Sequence, residues 1–438
     1  MKRTQEESFL FTRTVPVTHE VDIAVVGGGI AGTCAACAAA LEKKTVLLVE
    51  KFAMLGGSGT VGGVTGFCGE TKGQGRVFDM LLTGLKKFNA IEPYRPGKGG
   101  KYDHEIFAIV LQEVALQCKV NLLFHVSFAD VGIDKNEHGT MITHLIINGK
   151  SGLQAIKAKM VIDCSGEADV VHRAGLGTMK GRESDGMQLP MSLNFFLRKG
   201  KRGKKFIKVP PCFFPWKPYK KRWDLPMTSF RPFGSKGKAV KIKIPVFDAT
   251  TTEGLSSAEV EGHRKMMQVL EYFQSKEFKT WELSHCSQVI GIREGRRARG
   301  DYILTVDDVR AGREFEDAIA VGCYQLDAHE PGDDKRTYIL PKDQLKVPPY
   351  HIPLRSLIPE GSSNLLVAGR NLSADQLAMS SARVMTTCAM MGEAAGTTAS
   401  RCIDENTTPL DIARKSPGLI RSIMEAGGAI LDRSFYPA

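Results

Sequence analysis

The fold is decided by the stretch VDIAVVGGGIAGTCAACAAA, residues 21–40. Its first six residues are mostly apolar and β-branched, which is typical of a strand buried on both faces. Three glycines follow them, and an alanine-rich segment with helical character comes next. A second apolar run, residues 45–49, ends at Glu50. Strand, glycine turn, helix, strand and acid in this order predict a complete βαβ unit within about thirty residues.

The glycines have the spacing of a dinucleotide-binding turn, and each has a physical task. Gly27 permits the sharp turn, Gly29 lets the backbone approach a pyrophosphate, and Gly32 lets the helix pack closely on the strand. The first turn of the helix, which includes Ala31, offers amide donors and the positive end of the helix dipole to the phosphates. Glu50 stands 18 residues beyond Gly32, where an acid accepts hydrogen bonds from the adenosine ribose. The pattern therefore predicts a dinucleotide site.

Three further features favour a flavin over a nicotinamide dinucleotide. Residues 56–59, Gly-Gly-Ser-Gly, form a second amide-rich loop suited to the flavin-side phosphate and the ribityl chain. A second apolar strand, residues 160–164, and a third, residues 364–368, each run into a turn that contains glycine. The helix after the third strand begins where negative charge on a reduced flavin would be stabilised. FAD is therefore the predicted cofactor.

Length and composition bound the class of protein. The chain has 438 residues, enough for about two to four domains of ordinary size. Apolar residues make up 42% and charged residues 24%, which is ordinary for a globular protein. No window approaches the run of about 18 apolar residues that crosses a membrane, and residues 1–20 lack the pattern of a secretory signal. We expect a soluble multidomain enzyme or binding protein.

The ten cysteines are scattered, which favours reduced thiols and a cytoplasmic location. Only Cys34 and Cys37 have CxxC spacing, and they lie in the alanine-rich segment, where tight helix packing is favoured over a redox or metal role. No second pair completes a zinc ribbon, and no cysteine run has the spacing of an iron–sulfur cluster. We therefore predict no metal site.

The excess positive charge is concentrated in residues 196–243, the basic segment. It has sixteen Lys or Arg against one acid, Asp224, so its net charge is +15, whereas the whole chain carries +11. Aromatic residues are interleaved with the cations. Such a segment can bind single-stranded nucleic acid, fold over an anionic substrate, or form a solvated flap. Nucleic acid is disfavoured, because no named nucleic-acid motif is present.

The strand patterns place dinucleotide-type segments at both ends of the chain. From about residue 178 the sequence changes to scattered proline, glycine and basic residues, which indicates a domain boundary. We predict an α/β fold, with a discontinuous Rossmann-like FAD-binding domain around a parallel sheet and an inserted mixed-β substrate domain. The predicted bounds are 20–178 and 351–405 for the FAD-binding domain, 179–350 for the substrate domain with its basic insertion, and 406–438 for a C-terminal tail.

Several motifs together resemble those of a known family. They are the glycine turn at 27–32, Glu50-Lys51 with 55–57, and the segments 163–169, 293–297, 350–357 and 364–396. On these motifs the chain resembles FAD-dependent oxidoreductases with the two-domain fold of glutathione reductase. The branch is the one that groups bacterial flavoproteins with relatives of the flavin subunit of heterodisulfide reductase. The resemblance spans about residues 20–190 and 285–405. The iron–sulfur motifs of those relatives are missing, so their electron-bifurcating role does not transfer.

The resemblance implies a set of cofactor contacts. Gly29 and Ile30 would contact the phosphates, Glu50 the ribose and Lys51 the adenosine side, while Phe128 matches the place where a backbone amide reads adenine. The remaining expected contacts, toward the flavin and the turns beside it, are Gly57, Ser58, Ser165, Gly166, Gly369, Val384 and Thr387. Arg370 departs from many relatives, which have an acid after this glycine. The resemblance leaves open whether Arg370 contacts the ribityl chain, the phosphate or the substrate.

The catalytic candidates follow from what a flavin leaves to the protein, namely orienting the donor carbon and managing one proton. His351 is the predicted general base, because its ordinary pKa lies near neutrality; the alternative is a histidine hydrogen-bonded within a strand. Arg355, four residues on, is a candidate anion clamp, and Arg383, just before the flavin-facing helix, is a second candidate. The arginines among residues 293–297 are candidates for binding a carboxylate or a phosphate, and the alternative is that they form ion pairs between domains. His285 and Cys286 are weaker catalytic candidates.

We therefore expect an FAD-dependent dehydrogenase or oxidase. It would transfer a hydride from a C–H bond next to oxygen or nitrogen of a small polar or anionic substrate to flavin N5. Two alternatives stay open. One is a flavin monooxygenase that uses NAD(P)H and oxygen, and the other is an FAD-bearing protein that binds an acidic partner through the basic segment. The sequence does not predict the electron acceptor.

Overall fold

The structure is a computed structural model that describes residues 9–200, 218–234, 237–277 and 279–437. Its strands are β1 (Val17–Val26), β2 (Val46–Glu50), β3 (Gly66–Phe67), β4 (Gly100–Lys101), β5 (Asn121–Phe124), β6 (Ser127–Asn136), β7 (Gly139–Gly149), β8 (Gly152–Asp163), β9 (Thr178–Lys180), β10 (Met191–Lys199), β11 (Thr228–Phe233), β12 (Gly237–Ile244), β13 (Trp281–Cys286), β14 (Arg296–Ala298), β15 (Ala318–Gly322), β16 (Tyr350–Pro353) and β17 (Leu365–Val367). Its helices are α1 (Ile30–Leu41), α2 (Arg76–Lys87), α3 (His104–Gln117), α4 (Asp169–Arg173), α5 (Thr252–Ser275), α6 (Val306–Ala311), α7 (Gln376–Ala382), α8 (Met385–Glu405), α9 (Pro409–Lys415) and α10 (Pro417–Ala426). In this described part of the chain, no helix has the length and apolar character needed to cross a membrane.

A seven-stranded sheet forms the centre of the first domain. Its order is β5-β2-β1-β8-β7-β6, and β17 pairs with the end of β8. Strands β5, β2, β1, β8 and β17 run parallel, whereas β7 and β6 extend the sheet by antiparallel pairing. The carboxyl ends of the parallel strands therefore meet at one edge, where open α/β sheets bind their ligands. The predicted α/β fold with a Rossmann-like parallel sheet is confirmed.

The contact between α1 and α8 depends on small residues. A Cβ added at Gly392 would lie 2.1 Å from the carbonyl oxygen of Ala31, so the two helices approach more closely than larger side chains permit. Cys34 and Cys37, on the same helix as Ala31, are fully buried. Burial raises the pKa of the Cys34 thiol well above its ordinary value. These two cysteines therefore serve helix packing.

The second domain is a four-stranded antiparallel sheet, β11-β12-β10-β13, packed against the long helix α5. Its hydrophobic core is separate from that of the first domain and includes Leu193, Phe195, Val240 and Phe273. Strands β10, β11 and β12 contain part of the described basic segment, and residues 218–227 precede β11. Residues 201–217 and 235–236 of that segment lie outside the described residues.

The chain returns to the first core earlier than the sequence indicates. The second core runs from Met191 to Ile290, whereas Ala298 and Leu304 already pack in the first core. Strand β14 pairs with β9, and β15 pairs with β16. The predicted substrate domain, 179–350, therefore extends beyond the residues that pack in the second core. The strands after residue 295 are short, so no long apolar pattern in the sequence marks the return of the chain to the first core.

Candidate functional site

A cavity of about 790 Å³ opens at the carboxyl edge of the parallel sheet, between the two domains. Its lining combines the turns after β1, β2, β8 and β17 with the start of α8 and with residues of β10, β11 and β12. Most predicted site residues line it: Gly27, Gly29, Ile30, Ala31, Glu50, Lys51, Gly57, Ser58, Phe128, Ser165, Gly166, Gly369, Arg370, Arg383 and Val384. The fold thus brings widely separated segments of the chain to one site.

The N-terminus of α1 opens on this cavity with uncapped backbone donors. Its N-cap residue is Gly29, and no side chain accepts a hydrogen bond there. A Cβ added at Gly29 would meet nothing within 4 Å, and one added at Gly57 would lie 3.3 Å from the Cα of Gly29. The two glycines therefore leave an open space beside the amides of Ile30 and Ala31. A diphosphate fits this combination of amide donors, positive helix end and missing side chains.

The N-terminus of α8 is uncapped in the same way. Its N-cap residue, Val384, provides no capping side chain, and Val384 and Met385 both line the cavity. The helices α2, α4 and α10 also have N-cap residues without a capping side chain. In α2 and α4 the distant carboxylates of Glu393 and Asp163 accept from first-turn amides, and α10 begins with a proline. Five other helices have capping side chains, which are Asp103 for α3, Thr251 for α5, Thr305 for α6, Asp375 for α7 and Thr408 for α9. Two helix ends that lack such caps thus face the same cavity.

Glu50 joins the glycine turn to the end of β2. Its Oε2 accepts a hydrogen bond from the amide of Gly28 at 2.7 Å, and its Oε1 accepts one from the amide of Phe52 at 2.9 Å. Burial raises the pKa of the carboxyl group, although the two amides act to lower it. Each carboxylate oxygen has a second lone pair, so Glu50 can still accept from hydroxyl donors such as those of a ribose.

A buried carboxyl group organises the turn after β8. Asp163 accepts hydrogen bonds from the amide and the hydroxyl of Ser165, at 3.0 and 2.6 Å, and from the amide of Val170 at 2.9 Å. The side-chain amide of Asn371 donates to the Asp163 carbonyl at 2.9 Å. Burial raises the pKa of Asp163 to about 6. This residue therefore holds the turns after β8 and β17 side by side at the cavity.

Arg370 is neutralised within the protein. It forms an ion pair with Glu167 and donates to the carbonyl of Ile292 at 3.0 Å. Both Arg370 and Glu167 line the cavity. The contact of Arg370 with ribityl chain, phosphate or substrate stays a prediction, but its charge is already balanced by a neighbouring acid.

The side of the cavity formed with the second domain carries excess positive charge. Lys241, Arg231 and Arg293 line it, and none of them has an ion-pair partner among the residues that the structure describes. One end of the Arg293 guanidinium donates to the carbonyl of Pro190 at 3.2 Å and to the hydroxyl of Ser192. Three cations without ion-pair partners therefore line the cavity together with two acids, Glu259 and Asp327, of which Asp327 pairs with Arg383.

Arg383 and Asp327 form a buried ion pair beside these cations. Arg383 donates from Nη2 to the carbonyl of Asp327 at 3.0 Å and to its Oδ2 at 3.3 Å, and from Nη1 to the carbonyl of Arg293 at 2.8 Å. Nε2 of His329 lies 3.1 Å from Oδ1 of Asp327. Burial acts to raise the pKa of Asp327, but the hydrogen bond of His329 and the charge of Arg383 hold it well below its ordinary range. Arg383 therefore positions Asp327, and their charges cancel.

Lys241 has the chemistry of a proton acceptor. It lies on β12, and burial lowers the pKa of its amine to about 7, an effect to which the charge of Arg293 adds. About half of the molecules therefore carry a neutral amine at pH 7. A neutral amine with a pKa near the working pH is suited to general-base catalysis.

Two predicted catalytic residues lie away from the cavity, and their assignment is corrected. His351 is buried in β16, where Nδ1 accepts from the amide of Phe315 at 3.2 Å and Nε2 donates to the carbonyl of Leu431 at 2.9 Å. Arg355 makes hydrogen bonds of 2.9 and 3.1 Å to the carboxylate of Asp317. His351 is thus the strand-bound histidine of the alternative interpretation, because both ring nitrogens are occupied by backbone groups, and Arg355 forms a structural ion pair.

Two predicted cofactor residues do not line the cavity. A Cβ added at Gly32 would lie 1.8 Å from the carbonyl oxygen of Gly27, so Gly32 permits close packing rather than touching a ligand. Thr387 is buried in α8 and lies outside the lining. Gly32 thus has the packing task that the glycine turn predicts, and the cofactor contact of Thr387 stays a prediction.

Sequence reasoning missed many residues that the cavity takes from the substrate-domain segment, and the polar ones among them include Ser192, Asn194, Ser229, Arg231, Lys241, Glu259 and Asp327. One signal points to Lys241. The alternation Val-Lys-Ile-Lys-Ile at 240–244 has the period of a half-buried strand, and it places lysines opposite a core face. The net charge of the basic segment does not distinguish these lysines from cations on the protein surface.

The parallel sheet, its glycine turn and the cavity between two domains define a dinucleotide-binding oxidoreductase of the flavoprotein type. The sequence profile of the family described as FAD dependent oxidoreductase matches residues 22–423, and the chain belongs to that family. FAD is its cofactor. The uncapped amides at α1, the open space between Gly29 and Gly57, and Glu50 fit such a cofactor.

Solved structures resemble the chain at low sequence identity. A geranylgeranyl bacteriochlorophyll reductase-like protein from Thermoplasma acidophilum is 14% identical, with a TM-score of 0.49, over 94% of this chain and 85% of that chain. The p-nitrophenol 4-monooxygenase of Pseudomonas putida is 12% identical, with a TM-score of 0.49, over 94% and 88%. The THI4 protein of Thermovibrio ammonificans is 22% identical, with a TM-score of 0.31, over 38% and 67%. No curated protein matches the chain significantly.

Proposed function

We propose that the chain is a dehydrogenase or oxidase that removes a hydride from a carbon next to oxygen or nitrogen in a small anionic substrate. The observation that carries the proposal is the wall of three cations, Lys241, Arg231 and Arg293, for which the described residues offer no ion-pair partner. Cations in a partly desolvated cavity favour a ligand with a carboxylate or a phosphate. When bound, FAD supplies the hydride acceptor.

The cofactor assignments form the first part of this proposal. The amides of Ile30 and Ala31, beside Gly29, would hold the diphosphate, and Glu50 would accept from the ribose. The other residues proposed to contact the cofactor are Gly27, Lys51, Gly57, Ser58, Phe128, Ser165, Gly166, Gly369 and Val384. Their support is that all of them line the cavity.

The substrate assignments form the second part. Arg231 and Arg293 would bind the anionic group, and the hydrogen bonds from Arg293 to Pro190 and Ser192 keep its guanidinium in place. Lys241 replaces His351 as the proposed base. Its Nζ takes the proton of the substrate O–H or N–H while that bond breaks and a C=O or C=N bond forms. Asp327, held by Arg383, borders the same space.

Anaerobic reduction of the enzyme-bound FAD by matched pairs of small molecules tests the proposal. Hydroxy acids, amino acids and sugar acids are compared with their neutral amides or alcohols, and loss of the flavin absorbance is followed. We expect at least one anion to bleach the flavin while its neutral counterpart fails. Bleaching that requires NAD(P)H and an aromatic compound would instead favour the monooxygenase alternative.

A matched pair of variants separates cavity cations from surface cations. Arg231→Gln removes a cation that lines the cavity, and Arg222→Gln removes an exposed cation near Glu277. Because Arg231→Gln removes a charge-assisted hydrogen bond to the substrate, we expect it to raise the half-saturating substrate concentration about tenfold or more. Arg222→Gln should leave that concentration unchanged. An equal effect of both variants would show that Arg231 does not bind the substrate.

The finer placement of the chain is also proposed. The branch with the relatives of the heterodisulfide reductase flavin subunit rests on the motifs at 163–169 and 350–357. A cytoplasmic location is supported by the cysteines, since the nine that the structure describes are all free thiols. The electron acceptor stays unidentified, and an acidic partner for the basic segment stays an alternative.

A further inference from the structure

Two histidines and one glutamate meet where the two domains touch. His104 and Glu105 lie in the first turn of α3 in the first domain, and His285 lies on β13 of the second domain. One ligand-type atom from each side chain lies within 4.8 Å of the corresponding atoms of the other two. None of the three residues lines the cavity. The cluster is therefore separate from the proposed flavin and substrate site.

The two imidazoles lie side by side on one face of Phe196. The ring of Phe196 is nearly parallel to both, with centroid distances of 4.9 Å to His104 and 4.3 Å to His285. Parallel rings in contact are separated by about 3.5 Å, so a phenyl ring between two imidazoles would hold their centroids roughly 7 Å apart. The observed separation is 5.8 Å, with an interplanar angle of 19°. The imidazoles are therefore neighbours in nearly one plane, and their edges face each other.

The ring nitrogens of this pair are poorly satisfied by the protein. Nδ1 of His104 and Nε2 of His285 are buried and have no hydrogen-bond partner among the described residues. The other nitrogen of His104 is 3.5 Å from Oε1 of Glu105, and the other nitrogen of His285 is 3.1 Å from the hydroxyl of Ser284. His104 is only 5% exposed. A buried nitrogen without a partner is costly, and a bound metal ion would satisfy it.

We propose that His104, Glu105 and His285 bind one divalent transition metal ion, with Zn²⁺ the best match, and thereby link the two domains. Two imidazoles and one carboxylate form a ligand set that Zn²⁺ uses with a fourth position for water or another ligand. Ligand atoms bound at about 2.0–2.2 Å lie at most ~4.4 Å apart, so the cluster needs only small side-chain rotations. Glu105 is exposed and can make such a rotation.

Calorimetric titration of Zn²⁺ into the FAD-loaded, full-length protein tests the site, after treatment with a chelator and exchange into a buffer that does not bind metal. We expect one equivalent of Zn²⁺ to bind. His285→Ala should weaken that binding by more than ~100-fold, since removing a ligand exceeds the effect of removing an outer-sphere partner. Glu105→Gln, at an exposed position where folding is not at risk, should weaken it at least ~10-fold.

The matched control is His138→Ala. His138 also stands beside a glutamate, Glu137, at 3.6 Å, but no second histidine completes a cluster there among the described residues. This variant should bind Zn²⁺ as the unmodified protein does. Zn²⁺ at a hundredfold excess over its dissociation constant should raise the melting temperature of the unmodified protein by about 3 °C, and this increase should be smaller in Glu105→Gln at the same Zn²⁺ concentration.

The proposal fails if the unmodified protein binds no Zn²⁺, or if Glu105→Gln and His285→Ala both bind it as tightly as the control. An adventitious surface site would be recognised by loss of binding in His138→Ala. The FAD content and anaerobic bleaching of each variant are measured in parallel. They should not change, because the cluster lies outside the cavity, so failure of the metal site and failure of the proposed function are distinguishable.

Discussion

Replacement of Lys241 by methionine removes the proposed base with little change in side-chain volume. Lys241 lines the cavity and has no hydrogen-bond or ion-pair partner in the described part of the chain, so the replacement breaks no contact of that kind. The apolar stem of the lysine already packs in the sheet, and methionine fills the same space. The variant should therefore fold and retain FAD.

The expected loss of rate follows from the altered pKa. An ordinary lysine has a pKa near 10.5, so about one molecule in 3,000 carries the neutral amine at pH 7. Burial and the neighbouring Arg293 bring the pKa of Lys241 to about 7, which raises that share to about one half. A positioned base contributes about 10²–10⁴-fold to a proton-transfer step. Lys241→Met should lower the limiting rate of flavin reduction by this factor.

The pH profile supplies a signature that a packing defect would not produce. The amine is protonated below its pKa and neutral above it, so the rate should rise about tenfold per pH unit below pH 7 and level off above it. Stopped-flow measurement of anaerobic bleaching between pH 5.5 and 9 follows this limb at substrate concentrations well below half-saturation, where the rate reports the free enzyme. Lys241→Met should abolish the limb. The control is Lys238→Met, on the same strand but outside the cavity lining, which should preserve it.

Two results would refute this role. A loss of less than about tenfold in the limiting rate, with the pH limb intact, would show that another group takes the proton. A higher half-saturating concentration with an unchanged limiting rate would show that Lys241 binds the anion instead. Either result leaves the cofactor assignment untouched, because none of the proposed FAD contacts involves Lys241.

Three further variants test the remaining assignments. Gly29→Ala should keep the melting temperature within about 2 °C, because its Cβ meets nothing within 4 Å. The same variant should weaken FAD binding, measured by flavin fluorescence, about tenfold. An unchanged affinity for FAD would contradict the diphosphate assignment. Glu50→Gln offers one amide oxygen where the carboxylate offers two, so the amide of Gly28 or Phe52 loses its acceptor, and we expect a rise of about tenfold in the FAD dissociation constant in the same assay. His351→Ala should lower stability to urea by about 1–3 kcal/mol, because the Phe315 amide loses its acceptor, while the rate of flavin reduction stays within about twofold; a tenfold loss of rate would restore His351 as a base.

The parts of the site that the sequence predicts are those with local determinants. The strand, the glycine turn and the first turn of α1 lie within residues 21–32, and their geometry follows from backbone sterics and helix polarity alone. Asp163 and Ser165 are a second case, since the carboxyl group and the turn that it fixes are two residues apart. These assignments need no knowledge of which distant segments meet.

The catalytic side was predicted less well, because it depends on long-range packing. His351 has a suitable ordinary pKa, but the pairing of β16 with β15 turns its ring toward Leu431 and away from the cavity. Lys241 is one of sixteen cations in the basic segment, and only the pairing of β12 with β10 and the contact between domains place it at the cavity. The register of the strands and the contacts between the domains depend on many residues at once, so no single sequence motif predicts them.

The charge on the substrate side connects binding to catalysis. A buried cation without an ion-pair partner is unfavourable. The charge of Asp327 relieves this wall only in part, because it acts to raise the pKa of Lys241 and Arg293 while Arg383 and His329 hold its carboxylate. Burial and the charge of Arg293 both favour the neutral amine, and together they lower the pKa of Lys241 to about 7. An anionic substrate beside Arg231 and Arg293 would reverse this effect and raise the pKa of Lys241. Lys241 would then keep its proton to a higher pH in the complex than in the free enzyme, so the break in the pH profile at saturating substrate should lie above pH 7.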